Sequence, residues 1–290
     1  MAATGEHYYV PEGSHWPIIA VAGIFLTVLG FAFWANGMSF GPFSTVAGLC
    51  IIFYLFYGWF NDVIDESMSG KYSTQVDTSF RQGMMWFITS EVFFFAAFFG
   101  TLYYIRNIAL PYLSGEGHLG SSNLLWDGFK ATWPLVNTPD PDKYTQVKEA
   151  MGAGGIPLYN TIILLTSGAT ITWAHWGLKK NSKTHLVTGL ACTVALGLFF
   201  LSLQVYEYVH AYQELGLTLA SGVYGSTFFM LTGFHGMHVT IGTIMLIVIT
   251  VRSIKDHFTV EKHFAFEAVA WYWHFVDVVW LGLYIFVYWI

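Results

Sequence analysis

Apolar residues along this chain gather into seven runs, separated by shorter stretches where Gly, Pro, Asp, Lys and His intrude. The runs cover roughly 16–36, 41–60, 81–106, 158–179, 186–210, 222–252 and 266–289. About 20 apolar residues suffice for a helix to cross a bilayer, so seven membrane-spanning helices and an all-α polytopic protein are expected. Ser14-His15-Trp16-Pro17 opens the first run, with a serine able to cap free amides and a proline tolerated in a first turn. Gly41-Pro42 opens the second, which makes the first two a tight hairpin. The third ends near Arg106, and the fourth follows the break Gly152-Ala-Gly-Gly-Ile-Pro157. The stretch between them, 107–157, is too polar to span and too aromatic for a plain linker. No internal repeat is visible, which weakens a duplicated-transporter reading.

Composition agrees with that pattern. The 290 residues are 55% hydrophobic and 19% aromatic, and only 10% are charged, against about 25% in soluble domains. The two cysteines, Cys50 and Cys192, sit in apolar runs without metal or redox spacing and read as inert packing residues. The segment with His7, Tyr8 and Glu12 lacks the basic and small-residue pattern of a cleaved signal, so it reads as retained.

Lys and Arg in short loops favour the cytoplasmic side. An inside N-terminus puts Lys71, Arg81, Lys179, Lys180, Lys183, Arg252, Lys255 and Lys262 on that side and the C-terminus outside. The chain then divides into a cytoplasmic segment 1–15, helices one and two at 16–60 and a cytoplasmic loop 61–80. Helices three to seven follow at 81–290, with 107–157 as a long outer loop.

Ionisable groups in lipid-length helices are expensive and need a reason to be there. Glu267, His274 and Asp277 lie in the aromatic run from Glu267 to Trp280. Glu91 follows Arg81 by ten residues, about 15 Å deeper, among Phe93, Phe94 and Phe95. It reads either as a proton-exchanging carboxyl or as a neutral acid that holds a neighbouring helix. His235 and His238 share a helix face, and His274 with Asp277 repeats the spacing. Such a set could ligate a metal or haem, relay protons, or hydrogen-bond between helices. Gly233 and Gly236 beside the histidines favour close packing and the last of these. Glu207 and His210, near the outer surface, read as interfacial anchors within reach of water.

At the inner rim, Asp62, Asp65 and Glu66 read as a solvated helix end that could also meet a zwitterionic headgroup. Arg252, Lys255 and His257 carry the positive-inside signal, and such a basic set also suits an anionic or phosphate headgroup. Phosphate-binding glycine loops, soluble-type catalytic triads and haem-attachment motifs are missing. Catalysis by this chain in isolation is not expected.

These residues together carry a resemblance. Ser14-His15-Trp16-Pro17 with His7-Tyr8, Trp59-Phe60-Asn61-Asp62-Val63-Ile64-Asp65-Glu66-Ser67 and Ser90-Glu91-Val92 open the series. Ser167-Gly168, Thr172-Trp173-Ala174-His175 and Gly222-Val-Tyr-Gly-Ser-Thr-Phe-Phe229 continue it. Gly233-Phe-His-Gly-Met-His-Val239 and Phe266-Glu-Ala through Trp280 complete it. The chain resembles subunit III of the haem-copper cytochrome c oxidases, of bacterial type. The resemblance implies helices one and two separated from helices three to seven by a lipid-filled V-shaped cleft. It implies lipid contacts at Trp59, Glu66, Ser67, Arg252, Lys255 and Trp271, and a buried, carbodiimide-reactive carboxyl at Glu91. Glu91, His235, His238, His274, Asp277 and Glu267 then form a buried polar network, with no metal, haem or catalytic residue in this chain. The implied partners are catalytic subunit I, which holds haem and copper, then subunit II, small accessory subunits and phospholipid, with no nucleic acid. The implied place is a bacterial inner membrane, with the C-terminus periplasmic. The implied role is support of proton uptake and of stability during turnover. Asn61 and Asp65 stand where family members often place arginines. A subunit III-like component of a quinol oxidase or nitric oxide reductase, a membrane transporter and a free-standing membrane metalloprotein are the alternatives.

Overall fold

The computed structural model describes residues 9–10, 13–116, 129–138, 140 and 142–289. Most of the expected cytoplasmic segment 1–15, including His7, Tyr8 and Glu12, lies outside them, as does the middle of 107–157. Among the described residues the fold is all helical, with α1 (Trp16–Ala35), α2 (Gly41–Met68), α3 (Thr74–Tyr104) and α4 (Ile156–Lys179). These are followed by α5 (Lys183–His210), α6 (Gly222–Ile254) and α7 (Phe264–Leu283). π-Helical turns extend α3 at Ile105–Ala109, α5 at Ala211–Leu215 and α7 at Tyr284–Trp289. Six of the seven helices are long and apolar enough to cross a membrane, and α4 is not among them.

Two compact units divide the chain, Met1–Gln82 and Gly83–Ile290. In the first, α1 and α2 approach so closely that glycine is required. A Cβ on Gly30 would strike the backbone of Thr45, one on Gly41 that of Trp34, and one on Gly48 that of Thr27. Without a hydrophobic drive between helices in lipid, such small-residue contacts let van der Waals attraction hold the hairpin. Trp16 lies against Gly58, and its Nε1 donates to Asp62 Oδ2 at 2.7 Å.

In the second unit α4 and α5 run antiparallel. Gly177 meets His185 and Leu186, Gly189 meets Ala174, and the hydroxyls of Thr170 and Thr193 lie 2.8 Å apart. α7 is the most buried helix. Trp273 lodges between Gly197 of α5 and Gly242 of α6 and donates from Nε1 to Ser167 Oγ of α4 at 2.9 Å. Trp280 donates to Thr161 Oγ1 of α4, also at 2.9 Å. These bonds explain part of the polarity of α4: Thr161 and Ser167 are buried against protein, where their hydroxyls serve as acceptors.

The stretch 61–80, expected as a loop, is mostly helix. α2 runs on to Met68 and α3 begins at Thr74, which leaves only 69–73 between them. Apolar runs mark lipid contact rather than backbone hydrogen bonding, and Asp62, Asp65 and Glu66 sit at a helix C-terminus, where the dipole disfavours acids. Cys50 and Cys192, expected as packing residues, are both exposed on the helix surface.

Candidate functional site

Glu91 of α3 and His238 of α6, 147 residues apart, meet at 2.9 Å between Oε2 and Nε2. The other imidazole nitrogen, Nδ1, lies 2.6 Å from the carbonyl of Phe234. A carbonyl only accepts, so Nδ1 carries a proton, and the contact with Glu91 shares one further proton. Phe94, Phe95 and Tyr272 surround the imidazole.

His235, one turn before, does not join that pair. It is fully buried, donates from Nε2 to the Val276 carbonyl of α7 at 3.2 Å, and packs edge-on against Phe200 and tilted against Trp280. His274 lies between Thr172 and Asp277, with Nε2 3.3 Å from Thr172 Oγ1 and Nδ1 3.6 Å from Asp277 Oδ2. Thr172 already donates to the Gly168 carbonyl, so the His274 Nε2–H is the donor to Thr172. Asp277 fills the space beside Gly168, where any Cβ would strike Oδ2. The three histidines thus bond to three different partners and do not converge as a metal or haem triad. Nor do the neighbouring glycines make the close contacts the sequence suggested. Gly236 has open space around it, and Gly233 only approaches Tyr208 at 3.5 Å.

Glu267, in the first turn of α7, has neighbours that sequence reading passed over. His263 Nε2 lies 3.3 Å and His175 Nε2 3.6 Å from Glu267 Oε1. His175 belongs to the last turns of α4, and His263 stands just before α7. The available signal was His263-x-x-x-Glu267, which places both residues on one face. These are the described residues that could hold a metal ion.

Glu207, expected as an interfacial anchor near water, is fully buried. The Tyr288 hydroxyl donates to its Oε1 at 2.6 Å, while Oε2 has no partner among the described residues. The cause is the π-helical end of α7, which brings Tyr288 against Glu207 of α5. His210 meets Glu214 instead, at 3.0 Å.

The lipid-contact candidates fall three in each compact unit. In the first, Trp59 is exposed and Ser67 partly buried. Glu66 is not a solvated helix end: its carboxylate accepts from Tyr9 and Tyr72, each at 2.8 Å. Burial, then the bond to Glu66, raises the Tyr72 phenol well above its ordinary value. In the second unit Trp271 is partly buried and Lys255 exposed. The Arg252 guanidinium lies over the Phe258 ring at 4.6 Å, and its Nε, like His257 Nδ1, is buried without a hydrogen-bond partner among the described residues.

Comparison with known proteins bears on the whole chain. A family model described as cytochrome c oxidase subunit III matches residues 6–115 and 144–290. Relatives called cytochrome c oxidase subunit 3 come from Latimeria chalumnae and Pongo abelii. Each is 40% identical over 290 residues, 100% of this chain and 99% of the relative. That of Dasypus novemcinctus is 41% identical over 285 residues, 97% and 96% of the two chains. These are animal proteins of the mitochondrial type and lend no support to a bacterial origin. Their match runs through both compact units and spans Glu91, His235, His238, Glu267, His274 and Asp277 as well as Arg252 and Lys255, and on that extent the chain belongs to the cytochrome c oxidase subunit III family.

Proposed function

We propose that this chain holds structural phospholipid and supports proton uptake and turnover stability in the catalytic subunit of its oxidase. It is a multi-pass membrane protein, and subunit III is a non-catalytic core subunit of an oxygen-reducing, proton-pumping enzyme. Association with the other oxidase subunits follows from that membership, with subunit I as the direct neighbour and subunit II and small accessory subunits beyond it. Haem and copper belong to those partners.

The observation that carries the non-catalytic reading is the dispersal of the ionisable groups. His238 is committed to Glu91, His235 to the Val276 carbonyl, and His274 to Thr172 and Asp277. Groups engaged in this way neutralise one another between helices and present no common point to a cofactor. Lipid holding is supported by the unmet Arg252 Nε and His257 Nδ1, which suit an anionic headgroup. Trp59, Glu66, Ser67, Lys255 and Trp271 complete the contacts that the family resemblance implies, in the V-shaped cleft between helices one and two and the rest. Glu66, already bonded to two tyrosines, fits a positioning role there better than direct headgroup contact. We place the N-terminus in the cytoplasm and the C-terminus in the periplasm of a bacterial inner membrane, with α4 as the seventh span. The bacterial placement rests on the sequence resemblance alone, whereas the animal relatives favour the mitochondrial inner membrane.

The test is oxygen consumption over many turnovers by the purified oxidase, with this chain present and removed. Retained initial activity with accelerated decay supports the proposal. Loss of activity from the first turnover, with haem and copper still in the core, overturns it.

A further inference from the structure

We infer that His175, His263 and Glu267 form a site for one divalent metal ion of the zinc class, at the end of the helix bundle where α4 stops and α7 starts. Glu267 Oε1 lies 3.3 Å from His263 Nε2 and 3.6 Å from His175 Nε2, and one ligand atom from each residue falls within 4.8 Å of the other two. Around a tetrahedral zinc with bonds of about 2.0–2.1 Å, neighbouring ligand atoms stand about 3.3–3.4 Å apart. Both nitrogen–oxygen separations are near that edge length, so binding requires only small side-chain adjustments to draw the two imidazoles together.

The hydrogen bonding around the cluster is set for a cation. His263 Nδ1 lies 3.0 Å from the Thr259 carbonyl, which fixes the proton on Nδ1 and leaves Nε2 as a bare lone pair in the neutral ring. A backbone acceptor on the distal nitrogen is the arrangement that orients metal-binding histidines and raises their basicity. The Nε2 atoms of His175 and His263 are both buried and lack a hydrogen-bond partner among the described residues. The His263 lone pair therefore faces the carboxylate oxygen, and His175 Nε2 stands beside it without a hydrogen bond among the described residues, an arrangement that leaves polar atoms unmet and that a cation would satisfy. The His263 side chain is only 8% exposed and Glu267 12%, while His175, at 21%, provides access from outside.

The ligand set selects the metal. Two imidazoles and one carboxylate suit zinc or a similar borderline ion, and magnesium and calcium prefer all-oxygen sites. Three protein ligands leave a fourth position for water or for a group from a neighbouring subunit. Because His175 comes from α4 while His263 and Glu267 belong to the start of α7, the ion would tie two elements nearly ninety residues apart.

The experiment uses the intact purified oxidase, stripped with chelator, incubated with zinc and passed through a desalting column. Zinc is then counted against haem iron. Wild type is expected to retain one zinc per complex more than His263→Gln or His175→Gln, with an anomalous scattering peak at the zinc edge within bonding distance of both Nε2 atoms. Equal zinc in wild type and variants, or no anomalous peak at the cluster, overturns the site and leaves a proton shared between His263 and Glu267. Should the variants fail to assemble, the anomalous map of the wild type alone decides.

Discussion

His238 is fastened at both ends of its ring, to the Phe234 carbonyl through Nδ1 and to Glu91 of α3 through Nε2. The second contact needs one proton, held either by the carboxyl or by the imidazole. Phe94 and Phe95 pack around the imidazole, and the shared proton ties α3 to α6. Glu91→Gln keeps an N–H donor for Nε2 and is expected to leave assembly intact while abolishing carbodiimide labelling. Glu91→Leu strands Nε2 and should cost about 1–3 kcal/mol, read as a lower melting temperature of the complex. Loss of assembly in the glutamine variant would count against this picture.

Gly168 and Gly236 make a paired prediction. A methyl at Gly168 meets Asp277 Oδ2 beside His274, so Gly168→Ala should displace the carboxylate and destabilise the chain by about 1–3 kcal/mol. Gly236 has nothing near its missing Cβ, so Gly236→Ala should be neutral or gain up to about 1 kcal/mol from helix propensity. Thermal denaturation of the two variants in the same detergent separates them, and equal effects would remove Gly168 as the space-maker.

Which of these relationships could be read beforehand depends on how far apart their residues lie in sequence. His274 and Asp277 share one turn, and their pairing follows from spacing. Glu91 and His238 are linked only by the way α3 lies along α6, which no local pattern encodes. Glu207 was misjudged for the same reason, since its burial depends on Tyr288, 81 residues on. The helix cores were legible because lipid demands apolar runs, whereas the ends of α2 and α3 were not, because helical hydrogen bonding continues past the last apolar residue. His263 escaped notice because it precedes an apolar run, although its four-residue spacing to Glu267 was in plain view.

Among the described residues, Tyr288 supplies the one donor to the fully buried Glu207 carboxyl. Tyr288→Phe keeps the ring against Phe228 and Trp280 but removes that donor. The expected loss is about 1–3 kcal/mol, recovered in large part by a second change, Glu207→Leu, which removes the unmet acceptor. A double variant no more stable than Tyr288→Phe would show that Glu207 finds another partner, such as internal water.

The link between α2 and α3 should respond to alkali through Tyr72. Its phenol is raised above the ordinary value near 10 by burial and by the bond to Glu66. The folded state therefore holds this proton more tightly than the unfolded chain. Its contribution is complete below the unfolded value and declines as the pH climbs above about 10 toward the raised folded value. Wild type minus Tyr72→Phe difference spectra should show no tyrosinate band from this residue at pH 10 to 11. Ordinary titration near pH 10 would mean that the Glu66 contact is absent in solution.

Arg252 separates charge from geometry at the basic rim. Its guanidinium lies over Phe258 with Nε buried and unpaired, so the aromatic contact leaves an N–H for an anion to meet. A phosphate can take two parallel N–H bonds from a guanidinium, which an ammonium cannot supply. Arg252→Ala should therefore remove most of the anionic phospholipid that co-purifies with the oxidase, and Arg252→Lys should restore only part of it. Lys255→Ala, at an exposed position, should have the smaller effect, because a screened surface charge contributes less. Lipid content that follows charge alone, with the Lys variant equal to wild type, would show that the fork plays no part in recognition.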